Sequence, residues 1–297
     1  MRTVYLGTSE FAAGVVRMLA ASAHRPQQIV TRPARRRGRG RRLAAPPVAD
    51  AARELGIELL QPESVSEDSV RARIAAAEPD LLCLCAFGAL IKPPLLSDYE
   101  ILNVHPSLLP RWRGAAPIER AIMAGDQLTG ISIMRLTEGL DSGPVCRQVQ
   151  EPIGPSDTYG SLAARLQGLG GELLIAALDH RPQFAEQDEA LATYAEKLTA
   201  ADRRLDHERP AADLERIVRA LNPHVVATVA LADGSSLGVW EARTSAPGEP
   251  APPAGELSFE GPLPVLGCSE GALALAVVQP PGRRAMTGAD YLRGLRS

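Results

Sequence analysis

Short apolar runs alternate with stretches of helical periodicity along the first part of the chain. The apolar runs predict β-strands, at residues 4–6, 28–30, 81–86, 101–105, 130–136 and 145–149. Apolar residues three or four positions apart predict helices, at residues 11–21, 48–55, 69–77, 114–123 and 161–178. Thr8 or Ser9 is the expected N-cap of the first helix. Strands that alternate with helices in this way predict a doubly wound α/β domain.

The pattern changes near residue 180, where a polar stretch precedes a second unit. One helix is predicted at residues 211–221, and the β-like runs after it are short, at residues 225–231, 237–241, 265–267 and 272–278. Proline- and glycine-rich turns separate these runs, which favours a small barrel or sandwich. We predict a first domain at residues 1–184, a linker at 185–203 and a second domain at 204–297.

Composition and cysteine spacing are those of a globular protein without a metal centre. The 297 residues are 45% hydrophobic and 23% charged, with a formal net charge of −3. Neither an apolar leader nor a run of membrane-spanning length is found, so we expect a cytoplasmic protein. Cys83, Cys85, Cys146 and Cys268 have the spacing of neither a disulfide framework nor a zinc site. Cys83 and Cys85 are expected to be small buried side chains in an apolar strand.

Positive charge is concentrated in one short segment. Its arginines are Arg32, Arg35, Arg36, Arg37, Arg39, Arg41 and Arg42. Gly38 and Gly40 give this segment flexibility, which suits contact with a phosphate backbone. An arginine run is also typical of a mobile, solvated loop, and the residues alone leave both interpretations open.

Asn103 and His105 are the first candidates for chemistry. They alternate along a predicted strand, so both side chains point to the same face. Pro106 biases His105 toward extended geometry and places the pair at the carboxyl end of the strand, where open α/β sheets bind ligands. An amide can stabilise an oxyanion and an imidazole can transfer protons, as acyl transfer requires. A structural histidine at a strand end is the alternative.

Asp141 is the second candidate. It stands between Gly139 and Gly143 in a stretch that reads Gly-Leu-Asp-Ser-Gly. The glycines permit a tight turn that presents the carboxylate. Such a turn could equally join two strands with a solvated aspartate at its tip.

Taken together, these residues resemble the signature of formyltransferases that use 10-formyltetrahydrofolate. The order is Asn-x-His at Asn103 and His105, Ser-Leu-Leu-Pro at residues 107–110, and the turn that carries Asp141. Several further segments resemble methionyl-tRNA formyltransferases in particular, at residues 7–12, 111–118, 193–198 and 219–223. The resemblance spans nearly the whole chain and is densest from residue 101 to residue 143.

The resemblance implies a Rossmann-like formyltransferase domain, an OB-like second domain and formylation of initiator methionyl-tRNA for translation initiation. Asn103 would hold the oxyanion of the tetrahedral intermediate, His105 would assist proton transfer, and Asp141 would orient His105 or a bridging water. The implied folate pocket is lined by Phe87, Gly88, Leu90, Ser107, Leu108, Leu109 and Pro110. The implied contacts to the tRNA acceptor end are Arg35, Arg36, Arg37, Arg39, Arg41 and Arg42. We expect a monomer that requires no metal for the chemistry.

The chain departs from the family pattern in three places. One is at residues 205–207, which read Leu-Asp-His where the family often has Ile-Asp-Trp. Residues 33–40 lack the aspartate and the second proline of the usual Pro-Asp-Arg-Pro loop and carry extra arginines, so the shape of this loop is open. Residues 204–297 contain no lysine, whereas the second domain of the family is usually basic. The contribution of the second domain to tRNA binding is therefore an open question.

Four other functions are alternatives to this interpretation. A formyltransferase for an amino sugar nucleotide would share the three residues and can carry a similar second domain, whereas enzymes for glycinamide ribotide usually lack that domain and the arginine-rich loop. A nicotinamide oxidoreductase needs Gly-x-Gly-x-x-Gly after the first strand, but Gly7 is followed by Thr-Ser-Glu-Phe. A non-enzymatic RNA-binding protein would leave Asn103, His105 and Asp141 without a role.

Overall fold

The computed structural model divides the chain into two compact units. It describes residues 1–37, 42–180, 183–246, 248–249 and 251–296. The first unit comprises residues 1–114, 128–152 and 163–195, and the second comprises residues 115–127, 153–162 and 196–297. The domain boundaries expected from the sequence, at residues 184 and 204, stay a prediction.

A seven-stranded sheet forms the centre of the first unit. The strands of this unit are β1 (Thr3–Gly7), β2 (Gln28–Val30), β3 (Arg35–Arg37), β4 (Arg42–Ala44), β5 (Glu58–Leu60), β6 (Leu81–Cys85), β7 (Ile101–His105), β8 (Arg113–Gly114), β9 (Leu128–Arg135), β10 (Val145–Pro152) and β11 (Tyr194–Ala195). The order in the large sheet is β10-β9-β7-β6-β1-β2-β5. From β5 to β7 the neighbours are parallel, while β9 and β10 are antiparallel to their neighbours.

Helices lie between most of these strands and continue into the second unit. They are α1 (Glu10–Ala20), α2 (Pro47–Leu55), α3 (Asp68–Ala76), α4 (Leu95–Asp98), α5 (Pro117–Ala124), α6 (Tyr159–Asp179), α7 (Ala211–Leu221) and α8 (Gly288–Arg296), with 3₁₀ turns at Glu189–Leu191 and Ala201–Arg203. Ser9 caps α1 and accepts a hydrogen bond from the Ala12 backbone amide at 3.2 Å, which confirms one of the two expected caps. No helix in the described part of the chain is both long and apolar enough to cross a bilayer.

The doubly wound α/β prediction is confirmed, with an antiparallel addition at one edge. A short turn joins β9 to β10, so these two strands must run in opposite directions, because a parallel pair needs a long crossover. All five residues of β6 are buried, as expected for a strand covered on both faces. Burial raises the pKa of the Cys83 and Cys85 thiols to about 12. Both thiols therefore stay protonated and uncharged, and they pack as small apolar side chains do.

Two local predictions in the first unit were wrong. The helix expected from residue 114 begins at Pro117, because Arg113 and Gly114 pair with Tyr194 and Ala195 in a parallel bridge instead. The arginine-rich segment, expected to be a loop, begins and ends as a two-stranded hairpin in which β3 and β4 are antiparallel. Strand β5 was not predicted, since three residues with one buried side chain leave almost no pattern.

An antiparallel sheet and an amphipathic helix form the second unit. Its strands are β12 (Ala227–Ala230), β13 (Ser236–Thr244), β14 (Leu257–Ser258), β15 (Val265–Gly267), β16 (Ala272–Gln279) and β17 (Met286–Thr287). The order is β12-β13-β16-β15-β14, with β17 beside β16, and the sheet is curled into a half-barrel. Its core packs Leu214, Ile217 and Leu221 of α7 against apolar residues of the sheet, including Leu237 and Leu275. The β-rich second unit was predicted, whereas α8 was not.

Candidate active site

Strand β7 places Asn103 and His105 at the carboxyl end of the parallel sheet. Asn103 lies between Leu84 of β6 and Met134 of β9, and His105 lies opposite Ser132 of β9. Both candidate side chains are buried, with 6% and 4% of the residue exposed. Their alternation along one strand puts them on the same face, as the sequence predicted. The sheet therefore presents an amide and an imidazole side by side at its edge.

The hydrogen bond of His105 defines which ring nitrogen can accept a proton. Nε2 lies 2.9 Å from the carbonyl oxygen of Trp112. Because a carbonyl oxygen can only accept, Nε2 carries the proton of the neutral ring and Nδ1 presents a lone pair. Nδ1 in turn lies 3.6 Å from Oδ2 of Asp141. The ring is thus held as one tautomer, with its basic nitrogen beside a carboxylate.

Trp112 is held in an unusual backbone conformation to provide this contact. Its φ is +63°, in the left-handed region that a side chain with a Cβ rarely adopts. The backbone amide of Trp112 donates to Oγ1 of Thr193 at 2.9 Å, and the guanidinium of Arg111 lies 4.4 Å from the centre of the indole ring. These contacts hold the carbonyl that accepts the hydrogen bond from His105, and no pattern in the sequence indicated them.

The turn between β9 and β10 brings Asp141 to His105. Asp141 itself has a φ of +45°, so the turn includes a strained non-glycine residue. Its Oδ2 accepts a hydrogen bond from the Gly114 amide at 2.9 Å, and only 15% of its side chain is exposed. Asp141 is therefore a held carboxylate beside an imidazole and not a solvated group at the tip of a turn.

Asn103 differs from its neighbours in having unused hydrogen-bonding groups. Within the described residues, no hydrogen bond of its side-chain amide is found, although the residue is buried. The polar atoms of this amide are not among the fully buried atoms that lack a partner, so they are open to a ligand or to water. The Asn103 amide can therefore donate a hydrogen bond to an oxygen atom of a bound ligand.

The residues at 107–110 form a clamped loop beside this strand end. Ser132, fully buried in β9, donates to the Ser107 carbonyl at 2.6 Å and accepts from the Leu109 amide at 3.0 Å. Gln148 of β10 donates to the Leu109 carbonyl and to the Ser132 hydroxyl, each at 2.8 Å. Ser107 donates its hydroxyl hydrogen to the Arg111 carbonyl at 2.6 Å, so its side chain holds the loop itself. Sequence reasoning missed Ser132 and Gln148; the one signal was a serine inside an apolar strand.

The segment that follows β6 lies at the same edge of the sheet. Phe87 is buried, and its carbonyl accepts a hydrogen bond from Thr8 at 2.7 Å. Gly88 has a φ of +74°, and no described atom lies within 4 Å of where its Cβ would stand. Leu90 is 74% exposed. These residues leave open space beside Gly88 and an exposed apolar side chain after the end of β6.

The structure describes the arginine-rich hairpin only in part. Arg35 and Arg36 are exposed at its start. Arg39 and Arg41 lie outside the described residues, and of Arg37 and Arg42 only the backbone is described, as a pair in the β3–β4 register. Their proposed contacts to tRNA remain a prediction.

Comparison with known protein families gives two matches that together cover most of the chain. Residues 1–178 match the Formyl transferase family, and residues 197–296 match Formyl transferase, C-terminal domain. Methionyl-tRNA formyltransferase of Methylococcus capsulatus is 44% identical over 98% of this chain and 96% of that protein. The enzyme of the same name from Pseudomonas fluorescens is 41% identical over 100% of this chain and 94% of its own length.

Solved structures with the same fold share much less sequence. An N-formyltransferase from Helicobacter canadensis, solved with folinic acid and dTDP-3-aminofucose, is 11% identical with a TM-score of 0.67, over 93% of this chain and 99% of that one. HypX from Aquifex aeolicus, solved with tetrahydrofolic acid, is 18% identical with a TM-score of 0.65. That match covers 98% of this chain and 47% of HypX, so this chain spans about half of HypX. At these identities the likeness concerns the fold alone.

Proposed function

The chain belongs to the Formyl transferase family, and we propose that it transfers a formyl group from 10-formyltetrahydrofolate to the amino group of initiator methionyl-tRNA. Relatives that carry the name methionyl-tRNA formyltransferase are about 40% identical over nearly the whole length of both chains. The observation that carries the proposal is the pairing of a free buried amide with a tautomer-fixed imidazole and its carboxylate at one strand end. This set of groups suits attack by an amine on a carbonyl carbon.

His105 is the proposed proton acceptor. As the amine attacks the formyl carbon it must lose a proton, and Nδ1 is the ring nitrogen that carries a lone pair to accept it. The bond between the formyl carbon and N10 of the folate then breaks, tetrahydrofolate leaves, and the proton can pass from His105 to N10. Oδ2 of Asp141, 3.6 Å from Nδ1, stabilises the imidazolium that results. The Gly114 amide holds this carboxylate in place, so no reorganisation is needed as the charge develops.

Asn103 is the proposed stabiliser of negative charge. Its amide can donate to the formyl oxygen as electron density moves onto that atom. Asn103 is 6% exposed, so few water molecules compete for this hydrogen bond. Because β7 fixes the spacing of Asn103 and His105, charge stabilisation and proton acceptance take place at neighbouring points on one face.

The residues around the strand end fit a bound folate. Bound 10-formyltetrahydrofolate supplies an activated formyl group, and the free amide of Asn103 is the group that can receive its carbonyl oxygen. The open space beside Gly88 and the exposed Leu90 offer an apolar surface to the ring system. The clamped residues 107–110 form a rigid wall, because three hydrogen bonds with Ser132 and Gln148 hold their backbone and a fourth joins these two side chains.

We propose the arginine-rich hairpin as the contact to the tRNA acceptor arm. Clustered guanidinium groups bind phosphates and release the counterions of the nucleic acid. Because the whole chain has a net charge of −3, it can bind a polyanion only where its positive charge is concentrated. A role in translation also implies that the protein works in the cytoplasm. One chain carries all three proposed catalytic residues, so a monomer is sufficient for the proposed reaction.

The decisive experiment compares amine acceptors. Purified protein is incubated with 10-formyltetrahydrofolate and either initiator methionyl-tRNA or a dTDP-linked amino sugar, and the formylated products are quantified. We expect transfer to methionyl-tRNA and not to the sugar nucleotide at equal concentrations. Transfer to the sugar nucleotide alone, or to neither acceptor, would refute the proposal.

A further inference from the structure

Gln187 lies outside every motif noted in the sequence, yet it holds both sides of the Asp141 turn. Its side-chain nitrogen donates to the Asp141 carbonyl at 2.8 Å and to the Gly143 carbonyl at 2.7 Å. An amide has two hydrogens, and each has one acceptor here. A single side chain therefore links the backbone of Asp141 to the backbone of Gly143, on the two sides of the turn that positions the carboxylate.

The orientation of this amide is fixed by its partners. Oε1 of Gln187 accepts a hydrogen bond from Nε of Arg113 at 3.0 Å. A guanidinium only donates and a carbonyl only accepts, so the amide nitrogen must face the turn and the oxygen must face Arg113. The reversed amide would lose all three hydrogen bonds.

Arg113 is in turn held on its other side. Only 2% of Arg113 is exposed, and its two terminal nitrogens make a bidentate pair with the Glu189 carboxylate at 2.9 Å and 2.7 Å. The hydrogen bonds to Glu189 raise the pKa of Arg113 further above its usual range, so the guanidinium stays charged. Arg113 is thus a fixed donor that pins Gln187.

The same short strand also holds the carboxylate directly. Gly114, the residue after Arg113, donates its amide hydrogen to Oδ2 of Asp141 at 2.9 Å. Its φ is +118°, and a Cβ at this position would stand 2.8 Å from the Ala195 carbonyl oxygen, so only glycine fits. Strand β8 therefore reaches Asp141 twice, through the Gly114 amide and through Arg113 and Gln187.

We propose that Gln187 is a positioning residue for the formyl-transfer reaction, which acts through Asp141 by holding its turn against the strain of a positive φ. Without the two hydrogen bonds, the turn around Asp141 can relax and Oδ2 can leave its place beside Nδ1 of His105. We expect substrate binding to change little, because the hydrogen bonds of the Gln187 side chain go to Arg113 and to the backbone of the Asp141 turn. The inference rests on the proposed function of the same site.

Two substitutions separate the donors from the size and charge of the side chain. Gln187→Met keeps the length and removes every hydrogen bond, and Gln187→Glu keeps the acceptor for Arg113 but removes both donors. Glu186→Gln, at an exposed neighbour, is the matched control. All variants are assayed at a temperature at which thermal unfolding shows them to be folded.

We expect both Gln187 variants to reduce kcat about tenfold with KM for both substrates unchanged, the size of coupling within one hydrogen-bond network. In an Asp141→Asn background, the same substitutions are expected to cause no further loss, since the group through which they act is gone. Unchanged kcat, or the same fold loss in the Asp141→Asn background, would overturn the inference. If only one variant folds, that variant decides.

A measurement without substrate keeps this test separate from the proposed function. The ¹⁵N resonances of the His105 ring are recorded on ligand-free protein at one pH. We expect them to move in Gln187→Met and to stay in place in Glu186→Gln. If wild-type protein fails to formylate methionyl-tRNA, the proposed function falls, while these resonances still report whether Gln187 positions Asp141 against His105; unmoved resonances would overturn the inference.

Discussion

The candidate active site and the arginine-rich hairpin both belong to the first unit, and they use arginine in opposite ways. Beside the candidate site, Arg113 of β8 is 2% exposed and bound to Gln187 and Glu189. At the start of the hairpin, Arg35 and Arg36 are exposed. A buried, fully bonded guanidinium fixes geometry, whereas exposed guanidinium groups on a hairpin can follow the path of a phosphate backbone.

The difference separates two kinds of effect. Residues of the candidate site are held in place by hydrogen bonds, so their loss should change the rate of the chemical step. Residues of the hairpin act through charge, so their loss should change affinity and its dependence on salt. Effects on the chemical step and effects on tRNA affinity can be measured separately, and the largest is expected for the three candidate side chains.

Loss of any one of the three candidate side chains is expected to reduce kcat at least about a hundredfold, the usual scale for an acid–base or oxyanion group. The substitutions are Asn103→Ala, His105→Ala and Asp141→Ala, measured in a formyl-transfer assay with saturating substrates. Circular dichroism and thermal unfolding provide the control for folding. A variant with near-normal turnover would remove that residue from the mechanism.

Loss of hairpin charge is expected to weaken tRNA binding and flatten its salt dependence. Replacing Arg37, Arg39 and Arg41 with alanine should reduce the slope of log affinity against log salt by about 2 to 3, if each contacts one phosphate. The affinity for folate and the kcat at saturating tRNA should change little. Affinities are measured across a salt series.

The control for this prediction removes equal charge elsewhere. Arg2, Arg53 and Arg73 are exposed side chains in ion pairs with neighbouring carboxylates, and their triple alanine variant should leave the salt slope unchanged. An unchanged slope in the hairpin variant, or an equal change in both, would contradict a specific role of the hairpin and turn attention to the second unit.

Loss of the Ser132 hydroxyl tests whether rigidity at the edge matters for binding. Ser132→Ala leaves the buried Leu109 amide without its acceptor, so the free energy of unfolding should fall by about 1–3 kcal/mol. The KM for 10-formyltetrahydrofolate should rise, because residues 107–110 lose their clamp. Ser97→Ala, which removes an exposed hydroxyl bonded to Pro94, is the control. A normal KM together with reduced stability would show that the loop keeps its shape without the clamp.

The smallest effect is expected from metal chelation. Among the described residues, no group of three or more His, Cys, Asp or Glu side chains has the arrangement of a metal site. Turnover should therefore survive a zinc-selective chelator at constant magnesium, which is kept constant because tRNA itself folds with magnesium. Stoichiometric zinc that is needed for turnover would contradict a mechanism based on His105 and Asp141 alone.

The sequence by itself determined the parts of this protein that repeat or stand next to one another. Short apolar runs predicted most strands of the large sheet, and the 3.6-residue period predicted most helices of the first part of the chain. The spacing of Asn103 and His105 predicted that they share a face. The glycines around Asp141 predicted a turn that presents a carboxylate. The crowding of arginines in residues 32–42 predicted a charged segment, though not a hairpin.

Only the tertiary structure decided what holds these residues in place. Gln187 and Asp141 are 46 positions apart in sequence, and Arg113 and Glu189 are 76 positions apart. Hydrogen bonds between residues so far apart produce no periodic pattern in the sequence. The sequence alone also does not distinguish the arginine of strand β8 from the arginines of the hairpin. Burial distinguishes them, because a charge removed from water must be paired, and only the folded chain brings its partners within reach.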